Sequence, residues 1–72
     1  MIGGYRLEIR MGGNESYYVR VRNIDPVRAE QITRESLNLP ANAEITTAPL
    51  SKASVMDCPF DKVCSLRNQA VR

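Results

Sequence analysis

Arginine and tyrosine dominate the residues able to do chemistry in this 72-residue chain. Arg6, Arg10, Arg20 and Arg22 fall with Tyr18 at alternating positions of two short segments, and Glu8 lies among them. A planar guanidinium offers a fork of donors and sheds water more easily than an ammonium, so it suits carboxylates, phosphates and aromatic faces. Arg and Tyr are also enriched at binding hot spots. Four guanidinium groups around one phenol would suit an acidic protein surface. They would also suit a nucleic-acid backbone with a base stacked on Tyr18.

The two cysteines, Cys58 and Cys64, form the other candidate group. With no histidine in the chain, one copy cannot supply the four ligands of a tetrahedral zinc site. Thiols stay reduced in the cytosol, so the expectation is two small buried or half-buried thiols. A disulfide stapling a loop to the start of a helix is the second reading. A helix N-terminus at Cys58 would acidify its thiol, but no histidine stands ready to activate it.

Catalytic constellations do not assemble. Gly12-Gly13 lacks the phosphate-loop pattern and leads into a strand, and Gly3-Gly4 has no strand before it. Asp57 and Asp61 bracket Cys58 as a cap and a first-turn helix charge. No nucleophile, base and orienter can be grouped. No enzyme activity, cofactor or metal is expected.

Alternation sets the elements that must position these groups. Tyr5, Leu7, Ile9 and Met11 alternate with Arg6, Glu8 and Arg10, which is the period of a half-buried strand. Gly12 to Ser16 reads as a hairpin loop. Tyr17, Val19 and Val21 then alternate with Tyr18, Arg20 and Arg22. Pairing Ile9 with Val19 sets Glu8 opposite Arg20, Arg10 opposite Tyr18 and Arg6 opposite Arg22. Like charges face each other at that last pair, which costs stability unless something neutralises them.

Asp25-Pro26 reads as an N-cap followed by proline at the first helical position, with Ile24 placed to pack back as a staple. The helix should run from Pro26 to about Asn38 and end before Leu39-Pro40. Glu30 and Arg34 form a favourable pair. Val27, Ala29, Ile32, Ser36 and Leu37 give a modest apolar stripe. Ala43 to Ala48 reads as a third strand closed by Pro49. Leu50 to Met56 is a loop or a short edge strand through Ser54-Val55-Met56, and Pro59 to about Arg67 a short C-terminal helix.

The reading is one small α+β domain over residues 1–72. Its order is β-β-α-β, with an antiparallel N-terminal hairpin, one helix packed on the sheet and a terminal helix. The expected core is Tyr5, Leu7, Ile9, Val19, Val21, Ile24, Ile32, Leu37, Leu39, Ile45, Val55, Phe60 and Val63. With no Trp and a single Phe, this core is thin. A homodimer through an open sheet edge, or docking on a larger partner, would relieve it.

Hydrophobic residues at 43% and charged residues at 25% exclude wholesale disorder. No apolar run approaches the roughly 18 residues of a membrane helix. The first residues lack the basic head and apolar stretch of a secretory signal, so a cytoplasmic chain is expected, with the Asn14-Glu15-Ser16 sequon unglycosylated. Eight of the ten cations are Arg, yet the net charge is only +2. That small excess favours a protein partner over nucleic acid. The functional expectation is a small non-catalytic interaction module, of adaptor or inhibitor type. It would bind an acidic protein surface through Arg6, Arg10, Tyr18, Arg20 and Arg22. Phages and other mobile elements encode many such chains. Nucleic-acid binding through the same face is the alternative.

Overall fold

In the computed structural model, residues 1–13 and 15–65 are described. Strand β1 (Ile2–Arg10) and strand β2 (Ser16–Val21) form the hairpin. Helix α1 (Pro26–Leu37) follows, then strand β3 (Glu44–Ser51), a 3-10 turn (Lys52–Val55) and strand β4 (Val63–Ser65). The four strands make one antiparallel sheet in the order β3-β1-β2-β4. The domain is α+β.

Strands β2 and β3 both run antiparallel to β1, hence parallel to each other, on opposite sides of it. Joining them requires a crossover, and α1 supplies it. Asp25 caps the helix, its carboxylate accepting from the backbone N–H of Val27 (3.0 Å) and Arg28 (3.4 Å). Asn38 ends the helix in the left-handed conformation (φ 52°). Arg34 bridges the Glu30 carboxylate (3.2 Å) and the Ala43 carbonyl (3.0 Å), tying the helix end to the start of β3.

The core lies between α1 and one sheet face. Leu7, Ile9, Val19 and Val21 meet Ala29 and Ile32, with Tyr5, Leu39, Ile45 and Val63 half-buried around them. The inward strand parity is the one the alternation demands. The helix presents Ala29, Ile32 and Thr33, not the full expected stripe. Thr33 is buried because its hydroxyl donates to the Ala29 carbonyl (2.9 Å). Val27 and Leu37 are exposed.

Several local expectations are corrected. The hairpin register is shifted by two residues, so Leu7 faces Val19, Arg6 faces Arg20 and Glu8 faces Tyr18. A shift of two preserves the side-chain face, which is why the core survives it. Ile24 is no staple, being 70% exposed. Strand β3 runs on through Pro49, which an edge strand tolerates. The proposed edge strand at Ser54–Met56 is instead the tail of the 3-10 turn.

The expected C-terminal helix gives way to a turn and β4 within the described residues; its end at Leu66–Arg67 lies outside them. Asp61 adopts φ 63°, which a right-handed helix cannot contain. Phe60 forms a parallel bridge with Arg22, and the Asp61 amide donates to the Arg22 carbonyl (3.2 Å). Phe60 therefore leaves the core and stands exposed.

Candidate functional site

The even-numbered side chains of β1 and β2 point away from α1, so the expected Arg/Tyr face exists. Its far half is roofed. The segment from Lys52 to Cys58 folds back over it, burying Val55 and Cys58. Gly3 permits this approach, and Gly4 permits the close passage of β1 beside Val21 and Arg22. A side chain on Gly3 would place its Cβ 2.5 Å from the Lys52 Cα, and one on Gly4 would collide with the Val21 carbonyl oxygen. The Gly3-Gly4 pair is thus a packing device, a role that local pattern could not reveal.

Arg20 lies under this roof and is 8% exposed. Its guanidinium donates to the Ser65 carbonyl (3.0 Å), the Ser54 carbonyl (2.8 Å) and both Asp57 carboxylate oxygens (2.9 and 3.4 Å). Asp57 is therefore the partner of Arg20, in place of the expected helix cap. It also neutralises the charge that Arg20 sets across from Arg6.

Cys58 and Cys64 are joined as a disulfide. Of the two readings of the pair, the structure holds the second, a disulfide, in place of two separate thiols, and in that form neither sulfur is free to bind metal or act as a nucleophile. The bond ties the roof to β4 beside Arg20, since Cys64 is the cross-strand neighbour of Arg20. Among the described residues, no group of three His, Cys, Asp or Glu side chains is placed to hold a metal ion.

Of the five expected binding residues, three remain on the open half of the face. The Arg6 guanidinium lies over the Tyr18 ring, 5.2 Å from its centroid. This is a diagonal contact, since Arg6 pairs with Arg20 and Tyr18 with Glu8. Arg10 reaches Glu8 (3.4 Å), whose carboxylate also accepts from the Ser16 hydroxyl (3.0 Å). The expected Glu8–Arg20 pairing is replaced by this one. Strand β3 adds Glu44 beside Arg10, Thr46 beside Glu8 and Ala48 beside Arg6. Arg6 is thus the cation on the open half with no carboxylate as its direct cross-strand neighbour.

Arg22 lies apart. It sits past the end of β2, bridged to Phe60, and donates to the Cys58 carbonyl (3.4 Å). It borders a groove of about 460 Å³ at the open end of the hairpin, lined by Ile2, Ile24, Met56 and Phe60. Sequence reasoning missed this site because it counted Ile24 and Phe60 as core.

No protein-family model matches the chain, and neither a curated protein nor a solved structure matches it. Among the described residues, no helix is long and apolar enough to cross a membrane.

Proposed function

We propose that this chain is a small non-catalytic protein-interaction module, of adaptor or inhibitor type, that contacts an acidic protein surface through Arg6 and Tyr18, with Arg10 at the rim. The observation that carries this reading is the Arg6–Tyr18 stack. A guanidinium resting on an aromatic ring keeps its in-plane N–H donors outward and loses less freedom on binding a carboxylate. Arg20 is removed from the binding set because its donors are spent on Ser54, Ser65 and Asp57.

The signs of the neighbouring charges favour protein over nucleic acid. Glu8 and Glu44 flank Arg10 and would repel a run of phosphates, whereas a protein partner needs only one or two well-placed carboxylates. The Cys58–Cys64 bond favours an oxidising compartment over the cytoplasm expected from the sequence.

The test pairs capture with a fold control. Arg6→Glu with Arg10→Glu should abolish recovery of a partner protein while leaving circular dichroism unchanged. Both side chains are exposed, so their replacement should cost no more than about 1–2 kcal/mol, part of it from setting a glutamate at position 10 beside Glu8 and Glu44. Undiminished capture would remove the hairpin face from the mechanism. An anisotropy titration with mixed DNA and RNA addresses the other reading. Binding that collapses as salt is raised would replace the protein partner by a nucleic acid.

A further inference from the structure

Four large apolar side chains gather at the end of the domain away from the hairpin loop. Ile2 comes from the start of β1, Ile24 from the β2–α1 connection, Met56 from the end of the roof and Phe60 from the turn before β4. They are 44%, 70%, 71% and 65% exposed. Single exposed apolar residues are ordinary, but four lining one concavity are not. Their groove, with buried Val55 also in its lining, has room for one or two large side chains.

Its electrostatics are one-sided. Arg22 and Lys52 line the groove, and among the described residues no carboxylate does. The acids nearby in the chain are already engaged. Asp57 holds Arg20, Asp61 accepts from the Asn23 side-chain amide, and Asp25 caps α1. Arg22 spends one N–H on the Cys58 carbonyl and keeps the rest of its fork.

We propose that this groove is a second docking site, which takes a short acidic and apolar segment of a partner protein. One or two large apolar side chains enter among Ile2, Ile24, Met56 and Phe60, and flanking carboxylates pair with Arg22 and Lys52. A second copy of the chain does not fit this chemistry. A two-fold dimer through the groove would crowd two cations from each protomer into one desolvated space. A bilayer fits less well, because membrane-seeking side chains protrude whereas these line a hollow. The site is separate from the Arg6–Tyr18 face and stands or falls independently of it.

The experiment is an NMR titration of the isotope-labelled chain with two short peptides. One carries Leu-Phe between pairs of glutamates, and the other carries the same Leu-Phe between pairs of lysines. The acidic peptide should move the amide signals of Gly3, Ile24, Val55, Met56 and Phe60 saturably, and the basic one should not. Phe60→Ser and Lys52→Glu should each weaken binding at least about tenfold, with the folded spectrum retained because both side chains are exposed. Arg6→Glu should leave the affinity unchanged. Silence at those amides with the acidic peptide, or equal binding of the basic one, would overturn the proposal. So would phosphatidylserine vesicles that perturb these amides when the peptide does not, or a concentration-dependent dimer abolished by Phe60→Ser.

Discussion

Arg20 and Asp57, 37 residues apart, meet in a two-pronged ion pair at 2.9 and 3.4 Å. The two ends of this pair differ. The Arg20 side chain is only 10% exposed, while that of Asp57 is 55% exposed. Arg20 is accordingly the anchor, and Asp57 is one of three groups that hold it.

That asymmetry predicts unequal costs. Arg20→Leu leaves the Ser54 and Ser65 carbonyls without their donor and should cost about 2–4 kcal/mol. In a domain of this size the melting temperature should fall by roughly 10–25 °C. Asp57→Asn keeps those carbonyl bonds and disturbs a half-exposed partner, so its cost should be about 1 kcal/mol or less. Thermal melts of the two variants check the order. Equal losses would mean that the ion pair, and not the carbonyl clamp, holds the roof down.

Reduction should act on the same roof from its other end. Cys58 and Cys64 are six positions apart, and closing so short a loop stabilises by about 2 kcal/mol in the chain-entropy description. Adding a reductant should therefore lower the melting temperature by roughly 8–16 °C. The intact mass should gain two hydrogens. A melt insensitive to reductant would show that the bond contributes nothing to stability.

Two glycines should fail for different reasons. Gly4→Ala drives a methyl group into the Val21 carbonyl and should cost about 1–3 kcal/mol through displaced backbone. Gly12→Ala meets no atom within 4 Å, but φ there is 76°. Its cost should be about 1–2 kcal/mol, and Gly12→Asn should recover part of it. Denaturant titrations distinguish the cases, since asparagine at position 4 would restore nothing.

The caps of α1 offer opposite signs. Asp25→Ala removes the acceptor for two backbone N–H groups and should destabilise by about 1 kcal/mol. Asn38→Gly relieves a left-handed residue and should stabilise by about 0.4–1 kcal/mol. Chemical unfolding midpoints moving in the same direction would contradict the cap assignment.

Much of this architecture is written in short-range signals. Side-chain parity along β1 and β2 places Leu7, Ile9, Val19 and Val21 inward whatever the register, because a slip of two residues leaves every side chain on its face. Asp25-Pro26 and Leu39-Pro40 bracket α1 through backbone constraints that act within a few residues. The same reasoning failed after Ser51. There a proline and a periodic pattern imitated a helix start, while Asp61 turned left-handed and the chain rejoined the sheet at Phe60 and Val63.

Local pattern in the chain therefore determines the hairpin, the helix and the face that each strand buries, since these depend on steric and periodic relations among near neighbours. Only the tertiary structure decides the fate of the arginines. Arg6, Arg20 and Arg22 share one residue type and one strand parity. Yet one rests on a tyrosine ring, one is sealed beneath the Lys52–Cys58 segment, and one borders an apolar groove. The difference comes from a fold-back more than thirty residues along the chain, and no period in the sequence encodes where that segment lands.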